Sequence, residues 1–154
     1  MIQSEVSGIC FTVHPITRNY DQMVIETGYG LGEAIVGGKI TPDTYVINKS
    51  KLNLRIQDLI LDKNISEQEI MIVKGIQGTK EVKVSKLKQE RQKLKDSQIL
   101  KLAKICDNIE KHYQYPQDIE WALEKRRFYI LQSRPITTLS WPLWKMFRKI
   151  LRQE

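Results

Sequence analysis

The sequence predicts an α+β fold, a mixed or antiparallel sheet with helices packed on it. Three observations predict it. Pro116 to Ala122 and Tyr129 to Thr137 alternate polar and apolar residues, the period of a half-buried strand, and a short charged link joins them. Ile99, Leu102, Ala103, Cys106 and Ile109 recur at helical spacing. Several short β-rich runs are set apart by glycine and proline. With 154 residues, of which 41% are hydrophobic, the chain can bury a real core and fits a single domain rather than a wholly disordered protein.

Val6 to Val13 is the first β-rich run, ended by Pro15, and Met23 to Glu26 is the second. The second runs into Thr27-Gly28-Tyr29-Gly30-Leu31-Gly32, where glycine permits a tight turn and close backbone approach to a ligand. Gly32 to Val36 then reads as the first turn of a short helix, whose N-terminal amides are placed to face an anion. Plain strand-to-helix punctuation explains the same glycines, which match neither the P-loop nor the dinucleotide pattern. Strand candidates follow at Thr44–Asn48, Leu54–Leu61, Glu69–Lys74 and Lys80–Ser85. Lys86 to Lys95 is almost entirely Lys, Gln, Glu and Arg, with Leu87 and Leu94 its only apolar residues, and is expected to be a solvated loop or helix. No aromatic residues interleave there to stack bases, so nucleic acid is not an expected partner. Asp96 or Ser97 is expected to cap the long helix, which ends near Tyr113 before Pro116 and packs beneath the final hairpin.

That hairpin carries the chemistry. A loop centred on Arg126 sets Glu120 opposite Gln132 and Asp118 opposite Arg134. Two acids, an amide and a guanidinium then share one face, while Ile119, Trp121, Tyr129 and Leu131 share the other. Mg²⁺ takes hard oxygen ligands, usually one or two from protein and the rest from phosphate and water. A Glu carboxylate and a Gln carbonyl on neighbouring strands supply such a pair, and a guanidinium nearby suits a phosphate oxygen. On spacing alone, a solvent-facing hairpin with an ordinary Asp–Arg pair accounts for the same residues.

The residues themselves go further. Asp118-Ile119-Glu120-Trp121-Ala122 with Leu131-Gln132-Ser133-Arg134-Pro135-Ile136-Thr137 closely resembles the end of the ATP-binding domain of the phosphoenolpyruvate synthase and pyruvate phosphate dikinase family, which also includes rifampicin phosphotransferase and the glucan, water dikinases. Ser7-Gly8-Ile9-Cys10-Phe11-Thr12 through Pro15, Gly30-Leu31-Gly32-Glu33-Ala34-Ile35-Val36, and Thr41-Pro42-Asp43-Thr44-Tyr45 resemble three further family segments in the right order. The resemblance implies an ATP-grasp fold, of which this chain looks like the second lobe over residues 1–139. It implies ATP and Mg²⁺ as ligands, with Glu120 and Gln132 holding the metal, Arg134 on phosphate, and Asp118 and Glu33 in the nucleotide site. Thr12 matches a position near the nucleotide. It also implies phosphotransfer from ATP through a histidine, with release of AMP and phosphate.

His14 and His112 sit in nothing like the family's phosphohistidine motif and are expected to be structural. Cys10 and Cys106 read as buried free thiols, since their spacing suggests neither a metal site nor a redox pair. Without a signal pattern or an apolar run near ~20 residues, the chain reads as cytoplasmic. After Thr138 the chain departs from the family. In the stretch 140–154, Leu143, Trp144, Phe147, Ile150 and Leu151 line one helical face and Lys145, Arg148, Lys149 and Arg152 the other. A basic amphipathic tail of this kind suits an anionic membrane, but docking on this domain or on a partner lobe is the expectation. Much of the +7 net charge lies in this tail and in Lys86–Lys95.

The family's phosphate-gripping first lobe, its phosphohistidine domain and its pyruvate-binding barrel have no counterpart here, so the chain alone is expected to be inactive. Three readings stay open: one lobe of a split kinase completed by a separate chain, a non-catalytic nucleotide-binding or interaction module, and a truncated remnant.

Overall fold

The computed structural model describes residues 3–137, and the 140–154 tail lies outside the described residues. Six antiparallel strands form one sheet: β1 (Val6–Phe11), β2 (Gln22–Tyr29), β3 (Asp43–Asn48), β4 (Ile60–Asn64), β7 (Gln117–Glu124) and β8 (Arg127–Pro135), in the order β4-β3-β2-β1-β7-β8. Strands β5 (Ile70–Lys74) and β6 (Thr79–Lys83) make a separate hairpin. Helix α1 (Glu33–Val36) follows the glycine turn, α2 (Ile56–Leu59) precedes β4, α3 (Lys86–Gln89) follows β6, and α4 (Asp96–Tyr113) is the one long helix among the described residues. This is the α+β, antiparallel arrangement the sequence predicts.

Alternation divides the sheet into two faces. Val6, Cys10, Met23, Ile25, Tyr45, Ile47, Ile119, Trp121 and Leu123 point to one side, where Ile99, Leu102, Ala103 and Cys106 of α4 meet them in a single core. Gly8 lies among them because β1 and β2 run so close that a Cβ there would stand 1.8 Å from the Glu26 carbonyl oxygen. Cys10 and Cys106 are both fully buried free thiols, and burial, then the hydrogen bond with Cys106 across this core, pushes the Cys10 thiol well up.

Several expectations are corrected. The stretch Leu54–Leu61 is not a strand: α2 occupies Ile56–Leu59 and β4 starts at Ile60. Leu59, at the end of α2, is fully buried and Leu52 before it nearly so, while Leu54 and Leu61 are exposed. Neither Asp96 nor Ser97 caps α4. The cap is Lys95, whose backbone N–H donates to Gln98 Oε1 at 2.9 Å. Asp96 sits inside the first turn, where the Lys63 ammonium at 2.6 Å, then Gln92, hold its carboxyl below the usual range.

Lys86–Lys95 is not wholly solvated either. Leu94 is fully buried, and the Lys93 ammonium is 2.6 Å from Asp43 Oδ1 with both side chains shut off from solvent. Asp43 also accepts from Ser66 N–H, Tyr45 O–H and Lys93 N–H, while Lys93 donates to Ser66 O and lies over the Tyr29 ring. Every charge in this pair is partnered, which is the condition for tolerating it inside.

Candidate functional site

Strands β7 and β8 pair with Glu120 opposite Gln132 and Asp118 opposite Arg134, the expected register. The register then shifts by one between Glu120 and Trp121, so that Trp121 faces Ile130 and Leu131 is the extra residue. The loop is therefore the two residues Lys125 and Arg126, with φ of 48° and 65°, rather than one centred on Arg126. That bulge corrects the predicted apolar face. Phe128, not Tyr129, packs edge-on against Trp121 at 5.7 Å; Tyr129 lies opposite Ala122 on the face of Glu120, and Leu131 is 54% exposed. The bulge sits directly beside the Glu120–Gln132 pair and so helps to aim it.

The face of Glu120 is the one turned away from α4. Across it the pairing runs Thr44, Glu26, Ile9, Glu120, Gln132 in one row and Val46, Val24, Phe11, Asp118, Arg134 in the next. Glu120 and Gln132 have no hydrogen-bond or ion partner among the described residues. Arg134 does: its Nε and Nη2 each lie 3.1 Å from Asp118 Oδ2. Arg134 is largely exposed and Asp118 largely covered, so the carboxylate holds the guanidinium at the edge of the face rather than burying it. Thr12 is fully buried and its hydroxyl accepts from Gln117 N–H at 2.8 Å, which fixes the start of β7 against the end of β1.

The glycine turn packs over the same face one row along. Ile35 of α1 stands against Gly28, and Ser7 Oγ donates to Gly30 O at 2.6 Å. Its amides are mostly spent inside the protein. Gly30 N–H donates to Glu5 O, Leu31 N–H to Ile72 O, Ala34 N–H to Leu31 O and Ile35 N–H to Gly32 O. Gly30 has φ +80° and would place a Cβ 2.4 Å from Ile72 O, so glycine serves here to seat the β5–β6 hairpin. Glu33, in the first turn of α1, is exposed and has no partner among the described residues.

Glu26 is the residue that sequence reasoning missed. It is a half-covered carboxylate mid-face on β2, in the row of Glu120, and burial, then the charge of Asp118, raises its carboxyl above the usual range. A glutamate following the apolar run Met23 to Ile25 is a weak signal, and only the strand order brings it to this row.

The histidines fall where expected. His14 Nδ1 accepts from the Ile16 and Thr17 amides in a turn, and His112 stacks edge-on against Tyr113. A groove of about 430 Å³ between α4 and β8, lined by Ile105, Ile109, Tyr113 and Ile130 among others, opens on the core side of the sheet, away from Glu120. Among the described residues no group of three or more His, Cys, Asp or Glu converges to hold a metal ion. Among them, too, no helix is long and apolar enough to cross a membrane.

Comparison with known proteins shows the family. The family profile described as "Pyruvate phosphate dikinase, AMP/ATP-binding domain" matches residues 1–148. A probable phosphoenolpyruvate synthase of Methanocaldococcus jannaschii is 51% identical over 140 residues, covering 90% of this chain and 11% of that protein. The phosphoenolpyruvate synthase of Pyrococcus furiosus is 42% identical over 148 residues, covering 90% and 17%. The rifampicin phosphotransferase of Bacillus subtilis is 41% identical over 140 residues, covering 90% and 15%. The chain thus spans between about one ninth and one sixth of these relatives' length. It belongs to the pyruvate phosphate dikinase AMP/ATP-binding domain family, the nucleotide-binding domain of phosphoenolpyruvate synthase-like proteins.

Proposed function

We propose that this chain forms the second lobe of an ATP-grasp domain and holds Mg²⁺–ATP on the sheet face that carries Glu120. The observation that carries this reading is the unpartnered carboxylate of Glu120 directly opposite the unpartnered amide of Gln132. Two hard oxygen donors from adjacent strands fit Mg²⁺, which completes its shell with phosphate and water. When bound, the metal neutralises and orients the polyphosphate. Glu120 and Gln132 Oε1 face it, and Arg134 supplies positive charge to a phosphate oxygen while Asp118 keeps its guanidinium aimed. Glu33, in the first turn of α1, is the further candidate for contact with the nucleotide.

The wider reading is a part of a phosphoenolpyruvate synthase-like phosphotransferase. A partner lobe supplies the remaining phosphate-gripping cations, and a phosphohistidine domain accepts the phosphoryl group. This reading rests on the family and on the open face, which carries one side of an electrostatic clamp. Catalysis by this chain alone is not expected. The test is isothermal titration of ATP with and without Mg²⁺ into wild type, Glu120→Ala and Gln132→Ala. Magnesium-dependent binding in wild type, lost in both variants while their circular dichroism is unchanged, supports the assignment. Equal affinity in all three contradicts it.

A further inference from the structure

The geometry points to Glu26 as a specificity residue of this site, one that accepts hydrogen bonds from the sugar hydroxyls of the bound nucleotide. The inference rests on the metal–polyphosphate reading of Glu120 and Gln132. Glu26 and Glu120 flank Ile9 in one row, which separates them by two strand spacings, roughly 10 Å. On its other side Gln132 belongs to β8, the edge strand of the sheet. A ligand whose phosphates sit over Glu120 and Gln132 and which stays on the sheet therefore extends inward. It crosses the half-buried side chains of Ile9 and Phe11, an apolar step suited to the face of a sugar or base. Beyond that step stand Glu26 and, next to it on β3, Thr44.

A carboxylate cannot receive more phosphate there, because like charges repel. It can receive hydroxyl donors. Glu26 has no hydrogen-bond or ion partner among the described residues, yet it is half covered and the charge that acts on it is that of another acid, Asp118. Holding an unpartnered carboxyl in that position costs folding free energy, and a ligand donor offsets the cost. Backbone packing does not account for the side chain, because the close contact with Gly8 is made by the Glu26 carbonyl oxygen.

The experiment is titration of the full chain, with Mg²⁺ present, by ATP, 2′,3′-dideoxy-ATP and inorganic tripolyphosphate, in wild type, Glu26→Ala and Glu26→Gln. Wild type should prefer ATP over the dideoxy analogue by about tenfold. Glu26→Ala should erase that preference and leave tripolyphosphate binding unchanged, which also reports that the variant is folded. Glu26→Gln, which keeps an acceptor oxygen, should restore part of the preference. A wild type indifferent to the hydroxyls overturns the inference, as does a Glu26→Ala variant that keeps the preference or loses tripolyphosphate in step with ATP. A wild type that binds neither ATP nor tripolyphosphate overturns the metal–polyphosphate reading itself, and this inference with it.

Discussion

At Arg134 an observed ion pair and a proposed phosphate contact compete for one guanidinium. Its guanidinium is already engaged by Asp118, yet it is 62% exposed, so the pair contributes about 0–1 kcal/mol to stability. Arg134→Ala is therefore expected to leave the denaturation midpoint almost unchanged. It should weaken ATP by about tenfold, or ~1.4 kcal/mol, while adenosine affinity stays the same; parallel titrations with the two ligands decide it, and equal losses would remove Arg134 from the phosphates. Glu26 makes a pH prediction of opposite sign to the usual paired carboxylate. Burial and the Asp118 charge raise its pKa in the fold. In the unfolded chain it ionises at the ordinary value of about 4.3. Between the two values the folded state holds more protons, so stability falls as pH rises through that window and stays lower above it. Glu26→Gln should remove that fall, a difference readable in urea midpoints measured from about pH 4 to 7.

Among the elements, the β7–β8 hairpin shows what the sequence made legible. Alternation was enough to put Glu120 and Gln132 on one face, because a half-buried strand specifies its faces strongly, but the loop is not centred on Arg126 and it is the bulge that sets the two opposite each other. The bulge was not legible. Nothing local marks Leu131 as the extra residue, and the demand comes from packing Phe128 against Trp121. A two-residue loop with both φ positive is normally Asn-Gly, whereas Lys125 and Arg126 adopt it at a cost of about 1–2 kcal/mol each. Replacing them by Asn-Gly is expected to raise the urea midpoint by an amount worth ~1 kcal/mol or more and to leave ligand binding untouched. A lowered midpoint would mean that the Lys125 N–H bond to Glu5, rather than the turn itself, dominates there. Leu54–Leu61 failed for the converse reason: its apolar residues fit a strand period, but only the long-range core says that Leu52 and Leu59 are the ones buried. Glu26 stayed hidden because it reaches the site row through the neighbouring order of β2, β1 and β7, which no local pattern encodes.

For the whole molecule, the hydrophobic core with α4 lies on one side of the sheet and the proposed nucleotide site on the other. The core between sheet and α4 is closed at one end by the Lys93–Asp43 pair, which ties the stretch before α4 to β3. Lys93→Ala leaves Asp43 buried and uncompensated, so a loss of about 3–5 kcal/mol is expected in chemical denaturation. A loss under ~1 kcal/mol would mean that the Tyr45 and Ser66 donors alone satisfy Asp43. The opposite face carries Glu120, Gln132 and Glu26, which have no partner among the described residues, and in the proposed reading it is where the first lobe would close. The measurement that tests this account most directly is paramagnetic broadening of backbone amide resonances when Mn²⁺–ATP is added to the full chain, alone and then mixed with a first-lobe polypeptide from a complete relative. The account predicts that Glu120 and Gln132 broaden first, Asp118 and Arg134 next, and the α4 core residues Leu102 and Cys106 least. Broadening centred elsewhere, or none in either sample from a folded chain, would contradict it.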